Sequence, residues 1–330
     1  MLHETNDTIE HSDAWKSGEP LFPGAECMTV AQLLTTTFKP RPHVIEGLLP
    51  QGLTLLAGKP KMGKSWLDVD MALSVGTGET CLGHDVKQGS VLLASLEDPA
   101  DRLQSRIRRL RPNWEHLPET IECHFKWPRF NDGGHDALER WLDRNPEAKL
   151  AIFDTWQFVK PPRNPTKNIY DEDVAALSPV KRIAEERGIA ILMILHLKKG
   201  KEDDVFDEVS GSTGITGTAD TIMHLARDRG QADGVLTITS RVMAEAEFAL
   251  QFDNGVWTMM GDASEYRHSK EKTAVLGAIK AAGRPMAPAE MAVVLEEPRE
   301  TVKRRMLRME KDGWLINRGG GKYDLPPISA

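Results

Sequence analysis

The chain has 330 residues, of which 40% are hydrophobic and 28% charged, and its formal net charge is −7. This composition is typical of a soluble globular protein with room for one large domain and one small one. No apolar run approaches the roughly 20 residues that a membrane-spanning helix needs, which argues against a membrane protein. The three cysteines, Cys27, Cys81 and Cys123, show no C-x-x-C spacing, which favours reduced thiols and a cytoplasmic protein.

Residues 1–28 show no hydrophobic periodicity and are rich in polar residues, glycine and proline, so they are predicted to form a flexible acidic arm. Residues 29–260 are predicted to form one α/β domain. Up to about residue 226, apolar strand-like runs alternate with amphipathic helical stretches, which indicates a parallel sheet with helices on both faces. From Asp220 onward, short strand-like runs joined by tight turns predict an antiparallel extension of that sheet.

An eight-residue loop follows the apolar run at residues 53–57 and precedes a helical stretch. It matches G-x-x-x-x-G-K-[ST], in which backbone N–H groups at a helix N-terminus surround phosphate oxygens. Lys64 is predicted to contact the β- and γ-phosphates, and the Ser65 hydroxyl to hold Mg²⁺. The sequence therefore predicts a nucleoside triphosphate site. Its predicted binding residues are Gly58, Lys59, Pro60, Lys61, Met62, Gly63, Lys64, Ser65 and Trp66.

Three further polar residues stand at the ends of predicted strands, where the carboxyl ends of parallel strands face one crevice. Asp154 ends an apolar run and could bind Mg²⁺ directly or through water. Glu97 is suited to orient or deprotonate an attacking water, while the following Asp98 is predicted to cap a helix. His196 could sense the γ-phosphate, although a lone histidine at a strand end can equally be structural.

The C-terminal part of the chain has its own pattern. Residues 261–270 are polar and predicted to be a linker, and residues 271–326 read as three helices followed by a β-hairpin. That order resembles a winged helix-turn-helix domain, with residues 299–312 as recognition helix and residues 318–322 as wing tip. From residue 267 onward 13 Lys and Arg stand against 8 Asp and Glu, which suits an anionic partner such as DNA. A protein–protein contact is the alternative. The predicted DNA-binding residues are Arg299, Lys303, Arg304, Arg308, Arg318 and Lys322.

Five segments together resemble the RecA-like ATPases of the RepA-type hexameric helicase family. The likeness extends over about residues 40–260, with the motifs in the family's order. It implies an ATPase with a five-stranded parallel core that works between the subunits of a hexameric ring. The segments are LLPQGLTLLAGKPKMGKSWL, VLLASLEDPADRL, LAIFDTW, ILMILHLKKG and VSGSTGITGTADTIMHL.

The resemblance also implies roles for single residues. Glu97 matches the catalytic base, Asp154 the Mg²⁺ carboxylate and His196 the γ-phosphate sensor. An arginine from the neighbouring subunit completes the family's site, and Arg241 is the best match. Related rings often have a lysine two residues earlier, where this chain has Thr239, so only the arginine carries over. Loops 155–173 and 197–217 correspond to the family's channel loops, but several acidic residues in the second weaken a DNA-gripping role.

These features predict a Mg²⁺-dependent ATPase that forms a ring and acts on DNA. The favoured role is a replicative helicase of a plasmid, phage or integrated element, with Lys64, Glu97, His196 and Arg241 as catalytic residues. The alternative is an ATP-controlled DNA-binding regulator or loader without helicase activity. A small-molecule kinase is a distant third, because no segment resembles an acceptor pocket.

Overall fold

A computed structural model of the chain describes residues 28–38, 40–114, 118–197, 213–227 and 233–326. The chain divides into two units, residues 1–41 and residues 42–330. In the first unit, α1 (Val30–Thr35) begins at a capping box in which Thr29 and Gln32 bond to each other's backbone N–H groups. Almost all of the predicted acidic arm lies outside the described residues.

The second unit is built on one large sheet, preceded by the short antiparallel pair β1 (His43–Ile45) and β2 (Leu49–Pro50). Within the described residues six neighbouring strands run parallel, in the order β8-β3-β7-β6-β4-β5. These strands are β3 (Gly52–Gly58), β4 (Ser90–Ser95), β5 (Ile121–His124), β6 (Ala148–Asp154), β7 (Ala190–His196) and β8 (Thr221–Arg227).

Three antiparallel strands continue the sheet beyond β8: β9 (Asp233–Ser240), β10 (Ala246–Asp253) and β11 (Val256–Asp262). The predicted α/β fold, with a parallel sheet and an antiparallel extension, is therefore confirmed. The predicted start of the extension at residue 220 is wrong by one strand. Thr221 lies opposite Thr54 in parallel register, so β8 belongs to the parallel part, which has six strands rather than five.

Helices cover both faces of the parallel strands. Side chains along β3 alternate between two cores: Leu53 and Leu55 pack in one and Leu56 in the other. Because both cores are closed, every residue of β3 is buried. The helices of this region are α2 (Lys64–Thr77), α3 (Ala100–Leu110), α4 (His135–Arg144), α5 (Trp156–Val159), α6 (Ile169–Arg187) and α7 (Thr213–Thr218).

A third hydrophobic core lies in the C-terminal part, around Val302 and Met306. Its elements are α8 (Ala263–Ala282), α9 (Pro288–Leu295), α10 (Arg299–Lys311), β12 (Ile316–Asn317) and β13 (Tyr323–Asp324). This is the predicted order of three helices and a hairpin, while the winged-helix interpretation stays a prediction.

The predicted linker at residues 261–270 is wrong as a description of local structure, because β11 passes into α8 without an irregular segment. Asp262 caps the helix: its side chain accepts hydrogen bonds from the backbone N–H groups of Ser264 and Glu265. The segment has the polar composition of a linker because the first turns of α8 are mostly exposed. In the part of the chain that the structure describes, no helix combines the length and the apolar character needed to cross a membrane.

Candidate functional site

The phosphate loop lies between β3 and α2, as predicted, and its glycines meet steric demands. A Cβ on Gly58 would lie 2.5 Å from the Leu225 carbonyl oxygen. Gly63 has φ of 101°, and a Cβ there would lie 2.9 Å from the Trp257 ring. Trp257 also donates a hydrogen bond of 3.0 Å from Nε1 to the Gly63 carbonyl. The loop is therefore supported from behind by a residue of the antiparallel extension.

Lys64 lies at the first position of α2 with its side chain turned back toward the loop. Its Nζ donates to the carbonyl oxygens of Gly58 at 2.6 Å and Lys59 at 3.1 Å. Burial lowers the pKa of Lys64 to about 8, while Asp154, Asp68 and Glu97 oppose that change. The site thus holds a buried cation at the point where the loop pattern predicts the terminal phosphates.

Asp154 ends β6 and is buried, and its carboxylate accepts a hydrogen bond from the Ser65 side chain. Its Oδ1 atom is buried without a hydrogen-bond partner. Burial raises the pKa of Asp154, against the effect of the Ser65 hydrogen bond. A hydroxyl and a carboxylate oxygen that lacks a partner are the kinds of ligand that Mg²⁺ takes beside a nucleotide.

These residues therefore fit Mg²⁺. Among the described residues no cluster of three or more His, Cys, Asp and Glu side chains is arranged to hold a metal by itself. Mg²⁺ does not require one, because it is usually held by one or two carboxylates together with substrate phosphates and water.

Glu97, His196 and Lys64 form one hydrogen-bonded chain at the carboxyl edge of the sheet. His196 Nδ1 lies 3.2 Å from Lys64 Nζ, and its Nε2 lies 3.1 Å from Glu97 Oε2. A neutral ring can accept from the ammonium at Nδ1 and donate to the carboxylate at Nε2. Glu97 follows β4 and His196 ends β7, so the contact passes over the end of the intervening strand β6. Three of the predicted catalytic side chains thus meet.

Asp98 does not cap α3, contrary to the prediction. Pro99 is the N-cap residue of α3 and makes no side-chain capping bond. The buried Asp98 carboxylate instead binds Arg106 and, at 2.7 Å, Arg102. Arg102 and Arg106 are one turn apart on α3 and both bind Asp98. Their guanidinium groups therefore lie beside the segment that carries Glu97.

Trp66, included among the loop residues from its position, lies against cations and aromatic rings. The Arg106 and Arg109 guanidinium groups lie 5.5 Å and 6.0 Å from its ring centroid, and Phe252 meets it edge-on at 6.4 Å. The backbone of Gly255 approaches so closely that a Cβ there would lie 2.4 Å from the ring.

The sequence interpretation missed Asp68, which lies three residues after Ser65 on α2 and is buried. Burial and the charge of Asp154 raise its pKa well above the ordinary range. The available signal was an acidic residue three positions after Ser65, a spacing that places both residues on one side of a helix.

Arg241 is not brought to the phosphate loop of its own chain. It follows β9, which runs antiparallel to β8, and its backbone N–H donates to the Asp220 carbonyl at 2.9 Å. Asp220 in turn accepts from the Leu53 N–H at the start of β3. Since Gly58 lies five residues further along β3, at roughly 3.3 Å per residue, Arg241 lies about 17 Å away from it along the strands. The Arg241 guanidinium donates to the Gly217 carbonyl at 2.7 Å.

The six predicted DNA-binding residues are all exposed. Arg308 lies near His268 and Glu271, and Arg318 pairs with Asp324 at 3.3 Å. Arg305, also on α10, differs from these residues because it is buried. It joins α10 to Glu271 of α8 at 3.1 Å and to Glu297 at 2.7 Å, so it stabilises this part of the fold.

The two predicted channel loops are described to different extents. In loop 155–173, Lys160, Arg163 and Lys167 line a cavity of about 710 Å³ at the N-terminal end of α6. Most of loop 197–217 lies outside the described residues.

Comparison with known proteins gave matches to solved structures and to a protein-family model. Among solved structures, the "ATPase Domain of G40P" has a TM-score of 0.49 and 16% identity, covering 63% of this chain and 84% of that one. A "DnaB-Like Replicative Helicase", described together with its interactions with primase, has a TM-score of 0.49 and 15% identity. That match covers 63% of this chain and 58% of the other. This chain thus spans less than two thirds of that helicase.

No curated protein matches the sequence. The model of the AAA domain family matches residues 22–202, more than half of the 330 residues. The matched range contains the phosphate loop, Glu97, Asp154 and His196. The chain belongs to the AAA domain family.

Proposed function

We propose that the protein is a Mg²⁺-dependent ATPase that assembles into a ring and acts on DNA. Its favoured role is that of a RepA-like replicative helicase of a plasmid, phage or integrated element. The observation that carries the ATPase proposal is the chain from Lys64 through His196 to Glu97, beside the buried Asp154. A loop that only connected β3 to α2, without binding a nucleotide, would not need its lysine hydrogen-bonded through an imidazole to a carboxylate.

The residues divide the work of hydrolysis among them. Lys64 and the loop N–H groups bind the phosphates, and Ser65 and Asp154 hold the metal ion, which neutralises phosphate charge when bound. Glu97, exposed at the edge of the site, accepts a proton from the attacking water or orients it. His196 keeps Glu97 and Lys64 in fixed relation, so it can respond when the lysine shifts toward a γ-phosphate.

In the ring, Arg241 would complete the site of a neighbouring subunit. A residue about 17 Å from its own phosphate loop along the strands can reach a phosphate loop only in another copy of the chain. An arginine supplied across an interface typically raises kcat by about 10³- to 10⁵-fold. Hydrolysis would then depend on assembly.

Mixed rings test the action across subunits. Arg241→Ala and Lys64→Ala proteins should each be inactive alone. In a random equal mixture, about one interface in four pairs an intact Lys64 with an intact Arg241, so up to about a quarter of wild-type turnover should return. No recovery at any mixing ratio, with assembly intact by particle mass, would refute action across subunits.

The exposed basic face of α10 supports DNA as the partner, because Arg299, Lys303 and Arg304 project from a helix whose opposite side is buried. Strand displacement on forked DNA of both polarities tests the helicase role. We expect ATP-dependent unwinding by the wild type and none by Glu97→Gln. Hydrolysis without unwinding on any substrate would reject the helicase and retain the ATPase.

The second candidate, an ATP-controlled DNA-binding regulator or loader, is favoured by the same basic face. It predicts tight duplex binding that changes with bound nucleotide, and slow hydrolysis that single strands do not stimulate. Fluorescence anisotropy with labelled duplex, and ATPase assays with and without single strands, separate the two candidates.

A further inference from the structure

We propose that Asp68 is a second carboxylate of the Mg²⁺ site, acting on the ion through a bound water. The inference rests on the proposed binding of Mg²⁺ with a nucleotide, and it adds a residue that the phosphate-loop pattern does not contain. Four observations carry it: the position of Asp68 on α2, its burial, its unsatisfied oxygen and the neighbouring charges.

Asp68 lies on the same side of α2 as the predicted metal and phosphate ligands. It is three residues after Ser65 and four after Lys64, and residues at these spacings are neighbours on a helix surface. Its charge acts on Lys64, as does that of Asp154, and Asp154 accepts the Ser65 hydroxyl. Asp68 on α2 and Asp154 at the end of β6 are therefore close enough for their charges to act on each other and on Lys64.

Asp68 is only 1% exposed and its hydrogen bonds are incomplete. Oδ1 accepts from the Val69 N–H at 2.6 Å, but Oδ2 is buried with no partner. Within the described residues it forms no ion pair. Asp70, two residues further along the same helix, contrasts with it: that carboxylate pairs with Arg111 at 2.8 Å. A buried carboxylate is normally paired or binds a metal ion, so Asp68 lacks the compensation that Asp70 has.

Asp154 shares this condition, since its Oδ1 is also buried and without a partner. Two neighbouring carboxyl groups, each with one buried oxygen left over, cannot both be ionised unless a cation lies near them. The charge of Arg106 acts on Asp68, but the Arg106 guanidinium is bound by Asp98. A hydrated divalent cation held here would give both oxygens a partner, because hydrogen bonds from second-shell carboxylates to metal-bound groups are a general feature of metal sites.

The test measures metal binding directly and does not depend on turnover. Mn²⁺, as a paramagnetic substitute for Mg²⁺, is titrated by electron paramagnetic resonance into the full-length protein saturated with ADP. For Asp68→Asn we expect the Mn²⁺ Kd to rise roughly tenfold, the low end of second-shell losses. Nucleotide binding measured with EDTA should be unchanged. Asp154→Asn should lose more Mn²⁺ affinity than Asp68→Asn. Asp70→Asn, a matched change on the same helix, should keep the wild-type Mn²⁺ Kd.

The outcomes separate the inference from the function on which it rests. Wild-type Mn²⁺ affinity in Asp68→Asn, together with weakened binding in Asp154→Asn, would overturn the role of Asp68 alone. Failure of the wild type to bind ADP or Mn²⁺ would overturn the proposed function itself. If the asparagine variant does not fold, Asp68→Ala is titrated in the same way and must show the same loss. An equal loss in Asp70→Asn would also overturn the inference, because it would trace the effect to α2 in general.

Discussion

Replacing Glu97 by glutamine removes one negative charge at nearly constant shape, which makes it the sharpest probe of the site. Glu97 is exposed and accepts from His196 Nε2 at 3.1 Å, and a glutamine carbonyl can accept the same bond. The fold and the loop should therefore be unaffected. If Glu97 is the general base, kcat should fall by roughly 10²–10⁴, the usual contribution of such a group. ATP affinity should stay within about threefold of wild type, because binding uses Lys64 and the loop N–H groups.

The contact with His196 allows a stricter form of this prediction. His196→Ala leaves Lys64 with its two carbonyl partners but removes the group that holds Glu97, so a smaller loss in kcat, roughly 10–10², is expected. Residues that act as one unit have non-additive effects. The double variant should therefore be within about threefold of Glu97→Gln alone, instead of showing the product of the two losses.

The assay is steady-state ATP hydrolysis at saturating Mg²⁺, with binding of a fluorescent ATP analogue measured separately. The chain offers a matched control in Glu122, which lies 2.7 Å from His124 on edge strand β5. Glu122→Gln alters a Glu–His pair of the same kind outside the site and should leave kcat unchanged. Wild-type turnover in Glu97→Gln, or a double variant that shows the full product of both losses, would refute the reasoning.

The remaining predictions concern the loop and the C-terminal part. Gly63→Ala should destabilise the native conformation of the loop by about 1–2 kcal/mol, because alanine disfavours the left-handed backbone. The clash of its Cβ with Trp257 should weaken nucleotide binding further. Calorimetric nucleotide titration should show the weaker binding, and an unchanged Kd would contradict this prediction. Arg305→Ala should destabilise the C-terminal helices by about 2–4 kcal/mol, because two partly exposed glutamates lose their partner. Hydrogen exchange of α8–α10 in the full chain checks this, and unchanged protection would count against it. Charge reversal of Lys303 and Arg304 should weaken DNA binding and lower its salt dependence by about one unit of slope per lost phosphate contact, as anisotropy at several salt concentrations can test.

Much of the fold could be predicted because its signals are local. The apolar run of β3, the phosphate loop and the start of α2 are adjacent in sequence, and their spacing already fixes strand, turn and helix. The strand ends at Asp154 and His196 could also be located, since apolar runs stop there. Parallel strands then bring such ends to one edge without any further information.

What could not be predicted depends on contacts between segments far apart in sequence. Asp98 follows a pattern that suits a helix cap, yet its partners Arg102 and Arg106 became identifiable only once α3 was in place. In the sequence Asp68 is one more polar residue of a helical stretch, and its burial and the nearby charge of Asp154 arise only in the folded chain. Local sequence does not encode burial of this kind, because it depends on which face of α2 packs against the sheet.

The antiparallel extension illustrates the same limit, and it connects the phosphate loop to the C-terminal helices. In sequence it reads as four strand-like runs after the core, yet Trp257 of β11 donates to Gly63, 194 residues earlier, and fills the space behind the loop. Only five residues separate Trp257 from Ala263, where α8 begins, and α8 runs on through Val275 and Ile279 in the C-terminal core. The loop that binds phosphate and the helices that carry the basic face are therefore joined by one strand and one uninterrupted helix. The linker predicted at residues 261–270 would have separated them by an irregular segment, whereas the capped helix starts directly at the end of β11.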